Sequence, residues 1–397
     1  MKVLFLLFIG LDRHETSEHL LAAMMEQVCH AGHSVHIIQK DTGGDLPSIP
    51  QALLKYPITT ETIPYIKPAK NKLAFRYWAE IKYVLACKRV INDEYDAVFI
   101  QSTTVAGFAV YVIRKMFPKA KITLNIQDIF PYNALYSGKL KNLFLFKIFA
   151  AEQRYGYNHC DSIITISEDM KETLISDGIP DKKIEVVYNW SYQDDLYDIK
   201  DDSSVSKMFN KEYFNVVYAG NIGVMQNVDI LVECANLMKG DKGIWFHIIG
   251  NGVYKDRLIS KAKEYGISNI TFWPMQAPES APAIYCAADV NIIPLARDIY
   301  KTALPSKIAT CLACQKPIVF VFGEKSIFGN RIKEKTNCQL TSSDNAKELF
   351  EAIKRFHADS NYHVDISFFQ KHFSRTKNSQ KYASIITMLA QKKSFSV

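Results

Sequence analysis

The stretch NVVYAGNIGVMQNVDILVECANL, residues 215–237, changes its hydrophobic period half-way along. An apolar run ends at Gly220 as a buried strand would, a turn holds Gly223, and from Val228 onward apolar side chains recur at helical spacing. A strand that feeds a helix through a glycine turn points free backbone N–H groups outward at the positive end of a helix dipole, which suits a phosphate. Gly-x-x-Gly turns also occur for tight packing alone, and both readings stand.

The same unit recurs on either side. KVLFLLFI, SVHIIQK, YDAVFIQS, KITLNIQD and DSIITIS read as strands in the first half, with a helix over residues 15–31 and further helical patterns between them. GIWFHIIGNG, NITFWPM, ADVNIIPL and KPIVFVFG follow residues 215–237 as strands that end in turn residues. Alternating strands and helices imply an α/β fold of two Rossmann-like, doubly wound parallel sheets. The polar, Ser-rich run at 191–212 reads as a linker between an N-terminal domain, 1–190, and a C-terminal domain, 213–376. A last helix over 377–391 is expected to pack back on the first domain. Two such domains facing each other make a cleft at the carboxyl ends of the strands, where open α/β sheets bind ligands.

A chain of 397 residues with 48% hydrophobic content has enough apolar surface for two cores. The N-terminal MKVLFLLFIGLDRHE lacks a small-residue cleavage site and runs into a charged helix, so a first strand is favoured over a signal peptide. No other stretch supplies the ~18 uninterrupted apolar residues of a membrane-spanning helix, and the chain is expected in the cytoplasm. Its eight cysteines are scattered through apolar patterns, which suits reduced thiols used as small hydrophobes. Cys311 and Cys314 form a Cys-x-x-Cys with no second pair to complete a metal site. The net charge of +7 gathers around Lys55, Lys67, Lys70, Lys72, Arg76, Lys82, Lys88 and Arg89, interleaved with Tyr77, Trp78 and Tyr83. A solvated helix face and a surface for anionic lipid headgroups both fit that pattern. Nucleic acid fits less well, because no recognition module accompanies the basic residues.

The second stretch of interest is KTALPSKIATCLACQKPIV, residues 301–319. Pro305 suits a helix's first turn, with Ser306 and Lys307 beside it. A lysine at a helix start is unfavourable unless an anion is present, so Lys307 points to a bound phosphate. In HIIGNGVYKDRL, Gly250 and Gly252 flank Asn251 and let either a ligand or a neighbouring loop approach closely. In LNIQDIFPYNAL, Asp128 stands just past an apolar strand, where it either caps a helix or contacts sugar hydroxyls or a reacting centre. RHETSEH spaces His14 and His19 five apart, which a helix turns by roughly 140°, so a zinc-protease reading is discarded.

Taken in order, DIFPYNAL, YAGNIGVMQNVDIL, IIGNGVYKDRL, NITFWPM, AADVNIIPL and ALPSKIATCLACQKPIV resemble the family-4 retaining glycosyltransferases of GT-B fold, in the branch that builds bacterial capsule and other surface polysaccharides. The resemblance covers nearly the whole chain. It implies a C-terminal half that binds a nucleotide-sugar and an N-terminal half that holds an acceptor. The positions of the family's phosphate-binding basic pair fall on Asn221 and Gln226, so charge would come instead from Lys307, helped by backbone amides at Gly223. Two family glutamates, the second of which holds the nucleotide ribose, correspond to Thr302 and Thr310. Threonine lacks a carboxylate's two-oxygen grip on a ribose diol. The base would stack near Trp273, Pro274, Met275 and Gln276. The family's N-terminal glycine-rich loop is reduced to Gly10, and its glycine before the Lys-Pro strand is replaced by Gln315.

The expectation is therefore a retaining, metal-independent sugar transfer that needs no cofactor. Asp128 and Lys307 would be its catalytic residues. Its acceptor would be a polyprenyl-diphosphate-linked saccharide, met at the inner face of the membrane by residues 55–89 and by LKNLFLFKIF. Two rivals remain: an epimerase of nucleotide-sugars on the same plan, and a catalytically silent partner subunit, for which the two threonines argue.

Overall fold

A computed structural model describes residues 1–391 apart from 12–16, 42–48, 66–72, 92, 193, 198, 200–204, 206, 360–361 and 363. Lys67, Lys70, Lys72 and His14 lie outside the described residues. The chain divides into two compact units, one of Met1–Asn189, Thr302–Leu304 and Arg375–Val397, the other of Trp190–Lys301 and Pro305–Ser374.

The first unit is built on seven parallel strands: β1 (Lys2–Leu6), β2 (Ser34–Asp41), β3 (Ile58–Pro64), β4 (Ala97–Gln101), β5 (Lys121–Ile126), β6 (Ser162–Thr165) and β7 (Ile184–Val186), in the order β3-β2-β1-β4-β5-β6-β7. Both faces are covered by helices, so β1 and β4 are apolar on every side, with Val3, Leu4, Val98 and Ile100 fully buried. β1 pairs with β2 on one edge and β4 on the other. The order reverses there, and the loops after β1 and β4 flank the point where open sheets take ligands. The Arg375–Gln391 helix packs on the Glu18–His30 helix and on β4 and β5. Its buried Tyr382 donates to Asn125 Oδ1 at 3.2 Å.

The second unit has six parallel strands: β8 (Phe214–Ala219), β9 (Ile244–Ile249), β10 (Ile270–Trp273), β11 (Val290–Pro294), β12 (Ile318–Val321) and β13 (Gln339–Thr341), in the order β10-β9-β8-β11-β12-β13. The reversal falls between β8 and β11. Val216, Phe246, Ile292 and Val319 from four adjacent strands form one core with Leu231 and Ile353 of the covering helices. Each inner strand expected from the sequence is present. The edge strands β3, β7 and β13 were not anticipated: β3 alternates half-buried and exposed residues over ITTET before the buried Ile63, and the other two are three residues each. All eight cysteines are buried, and none forms a disulfide. Among the described residues, no helix is long and apolar enough to cross a membrane.

Candidate functional site

β8 delivers Tyr218, Ala219 and Gly220 to the reversal point of the second sheet. Gly220 has φ +145°, and a Cβ there would come within 2.7 Å of Lys307 Nζ. Lys307, the first residue of the Lys307–Ala313 helix, reaches over this glycine. Its ammonium donates to the Ala219 carbonyl and lies 4.1 Å from the centre of the Tyr218 ring. Tyr218 is itself fixed, buried, with its hydroxyl donating to the Asn221 carbonyl at 2.5 Å. Desolvation pulls the Lys307 ammonium down to about 8, and no carboxylate among the described residues pairs with it. Solvent still reaches part of the side chain. A protonated lysine held by a carbonyl and a ring is satisfied in geometry but not in charge.

The glycines around it serve loop packing. Gly250 and Gly252 lie at φ +147° and +159°, and Cβ atoms there would stand 1.9 Å and 2.1 Å from the carbonyl oxygens of Gly220 and Ile222. Ile222 N–H donates to the Asn251 carbonyl at 2.9 Å, which ties the loop after β8 to the loop after β9. Of the two openings left at these glycines by sequence, a neighbouring loop fills both. Gly223 has an extended backbone and precedes a short 3-10 turn, Val224–Gln226, before the Asp229–Leu237 helix begins. Asp229 sits in that helix's first turn, so the dipole already faces a carboxylate. Asn221 and Gln226 face outward, joined by an amide hydrogen bond of 3.1 Å. Ser306 is exposed and makes no side-chain cap. The Lys307–Ala313 helix is only seven residues long, so the ammonium and not a helix dipole is the positive feature here.

The two threonines are turned inward. Thr302 is fully buried and belongs to the first unit, where its carbonyl accepts from Ile129 N–H at 2.8 Å. Thr310 is buried in the second unit, with its hydroxyl 3.4 Å from that of Ser191. Gln315 holds the left-handed backbone, φ +58°, just past the Lys307–Ala313 helix.

Past β10, Pro274 and Met275 are exposed and Trp273 is half-buried. The Trp273 indole N–H donates to Nδ1 of His247 at 3.1 Å, and His247 Nε2 in turn meets Asn215 Oδ1 at 3.1 Å. This pairing fixes a neutral imidazole, and burial depresses its pKa to about 4. Two residues here carry weight that sequence reasoning gave to neither. His247 orients Trp273, and its signal was one histidine inside the apolar run IWFHII. Lys255 donates to the carbonyls of Gly250 at 2.8 Å and Trp273 at 2.6 Å, tying together the ends of β9 and β10.

In the first unit, Asp128 follows β5 and forms an isolated antiparallel bridge with Ala303. It caps no helix: the next one, Tyr132–Tyr136, starts after Pro131. The protein around Asp128 pushes its carboxyl up to about 6, while Arg76 opposes the rise. The side chain is nonetheless open to solvent, which screens this effect. Gly10 is buried in a loop pinned by two side chains, with Phe8 N–H on Gln101 Oε1 at 2.7 Å and Leu11 N–H on Gln39 Oε1 at 2.8 Å. Of Tyr77, Trp78 and Tyr83, only Trp78 is exposed. Tyr83 is buried with its hydroxyl on the Leu7 carbonyl, and Tyr77 packs on Phe149 at 4.8 Å. On the Leu73–Val90 helix, Phe75, Trp78, Lys82, Leu85 and Arg89 form an outward stripe. Leu143, Phe144, Leu145 and Ile148 of the Leu143–His159 helix are exposed as well.

Residues 17–190 match the family model described as Glycosyltransferase Family 4, and residues 213–359 match that of Glycosyl transferases group 1. The Escherichia coli (strain K12) protein WcaI, whose name assigns it to colanic acid biosynthesis as a glycosyl transferase, is 28% identical over 203 residues. That alignment covers 49% of either chain, so it spans about half the relative's length. The Pseudomonas aeruginosa protein WbjE, named as a glycosyltransferase, is 22% identical over 361 residues, 86% of each chain. Among solved structures, Anabaena Alr3699/HepE in complex with UDP superposes with a TM-score of 0.62 at 15% identity over 99% of this chain and 98% of that one. WaaG, a glycosyltransferase involved in lipopolysaccharide biosynthesis, gives 0.66 at 14% identity over 97% and 99%.

Proposed function

The chain is a glycosyltransferase of the family-4, GT-B type, and from that premise we propose that it moves a sugar from a nucleoside-diphosphate donor to a lipid-linked saccharide in bacterial surface polysaccharide biosynthesis. The observation that carries this reading is Lys307, an ammonium over Gly220 that no carboxylate among the described residues pairs. When the bond between the anomeric carbon and the donor's phosphate oxygen breaks, negative charge collects on the departing diphosphate. A fixed cation in a partly desolvated site favours that state. HepE, which shares the fold, is described in complex with UDP, UDP and glucose, and UDP-glucose, which supports a UDP-sugar as donor.

In this proposal Asn221, Gly223 and Gln226 line the phosphates, and Trp273 to Gln276 the base. Asp128 meets the sugar or the reacting centre. Transfer keeps the anomeric configuration and needs no metal, because Lys307 supplies the positive charge. The acceptor is a saccharide on a polyprenyl diphosphate at the inner membrane face. The outward stripe of the Leu73–Val90 helix and the exposed apolar start of the Leu143–His159 helix suit such a surface. The inward turn of Thr302 and Thr310 supports the rival reading of a silent partner subunit.

Titration with a panel of UDP-sugars decides between them. Binding, followed by turnover onto a lipid-linked acceptor in the presence of a chelator, is expected. Absence of any nucleotide binding would overturn the proposal in favour of the silent subunit.

A further inference from the structure

Arg76 lies at the border of the outward stripe, one residue from Phe75 and one turn from Glu80. Its Nε–H donates to Glu80 Oε1 at 3.1 Å. Glu80, 2% exposed, is fixed by the Thr103 hydroxyl at 2.6 Å, the Thr104 hydroxyl at 2.6 Å and the Thr104 N–H at 2.9 Å. It also pairs with Lys40 at 3.7 Å, and Lys40 is sealed in, its ammonium 3.8 Å from the centre of the Tyr65 ring and 5.0 Å from that of Phe8. The cluster thus holds two cations and one carboxylate. Lys40 cannot meet a ligand, and it already balances Glu80. The surplus charge is that of Arg76, whose side chain is 57% exposed. Among the described residues its terminal Nη groups find no acceptor, so the planar fork is aimed by Glu80 yet open. Arg76 is close enough to draw the Asp128 carboxyl downward, but no ion pair closes between them.

We propose that Arg76 binds the phosphate or diphosphate that joins the acceptor to its isoprenoid, with Glu80 as its positioning residue. This rests on the lipid-linked acceptor proposed above. What favours an isoprenoid diphosphate over a free phosphate is the apolar surface beside the guanidinium. Phe75, Trp78 and Leu85 share its helix. Leu73 and Tyr77 pack with Phe146 into one small core that joins this helix to the exposed start of Leu143–His159. An anion site at the edge of an exposed apolar face fits a charged head on a hydrocarbon chain.

The probes are farnesyl diphosphate, farnesol, inorganic pyrophosphate and phosphatidylglycerol vesicles, titrated into wild type, R76A, R76K and K307M. Farnesyl diphosphate is expected to bind wild type and K307M alike, at least tenfold more weakly to R76A, and in between to R76K. Farnesol and pyrophosphate are expected to bind more weakly than farnesyl diphosphate. R76A should melt with wild type, since Lys40 still pairs with Glu80. A loss of farnesyl diphosphate in K307M alone would assign it to the donor site, and a loss in R76A of vesicle binding alone would assign Arg76 to lipid headgroups. Either overturns the proposal, as does R76A binding like wild type. Failure of UDP-sugar turnover with Arg76-dependent binding intact would sink the transfer reading and leave this one standing.

Discussion

Two lysines stand at strand ends, one in each unit, and they share most of their surroundings. Lys40 lies at the end of β2 among the rings of Phe8, Tyr65 and Tyr83, and Lys307 lies against the end of β8 over the ring of Tyr218. Desolvation pulls both down to about 8. They differ most in pairing: Lys40, sealed in, has Glu80 at 3.7 Å, and Lys307, half-buried, has a carbonyl oxygen where a carboxylate would stand. Identical side chains in similar aromatic settings are therefore a closed structural pair in one unit and an open charge in the other. A cation that the fold desolvates without pairing is one that a ligand is left to pair.

The largest effect expected from breaking this contrast is on stability in the first unit. E80A strands Lys40 in a buried site and should cost about 3–5 kcal/mol, measured by denaturant unfolding. K307M should leave unfolding nearly unchanged and instead lower sugar transfer by about 10²–10³, the size seen when one stabiliser of developing charge is removed. Equal losses of stability in the two variants would erase the distinction between the lysines.

The second unit also carries a pH dependence of its own. His247 is buried and neutral, with a pKa depressed to about 4. The unfolded chain takes up this proton near pH 6.5, so the contribution is complete above that value. It falls as pH drops toward 4, by up to roughly 3 kcal/mol over the window. Melting curves of H247Q between pH 7 and 4 should be flatter than those of wild type. The smallest expected effect is at Gln315, whose left-handed backbone costs a non-glycine residue about 1 kcal/mol. Q315G should raise the unfolding free energy by about that amount.

The inner strands and the lysine at the Pro-Ser-Lys helix start were legible in the sequence because each has a local signature. Buried parallel strands are continuous apolar runs, and Pro305-Ser306-Lys307 marks a helix start with a cation where a cation is out of place. The edge strands β3, β7 and β13 were not, since ITTETIP carries only a weak alternation and three-residue strands have no period to read. The partners of Lys40 were hidden for another reason. Glu80 and Tyr83 sit among basic residues that suggested a solvated or lipid-facing helix, and only the fold brings β2 and the loop after β4 to the helix's inner face. His247 and Lys255 gain their roles from the β9–β10 pairing, a contact between strands that no local pattern announces.

Affinity for UDP as a function of pH, in wild type and K307M, tests the open charge most directly. A bound diphosphate raises the lysine's pKa, so binding must supply a proton above about pH 8, where the free lysine is neutral. Wild type should bind progressively more weakly from pH 8 to 10, while K307M binds at least tenfold more weakly at pH 7 and shows no such slope. Equal UDP affinity in the two proteins at pH 7, or the same slope in both, would contradict a diphosphate held by Lys307.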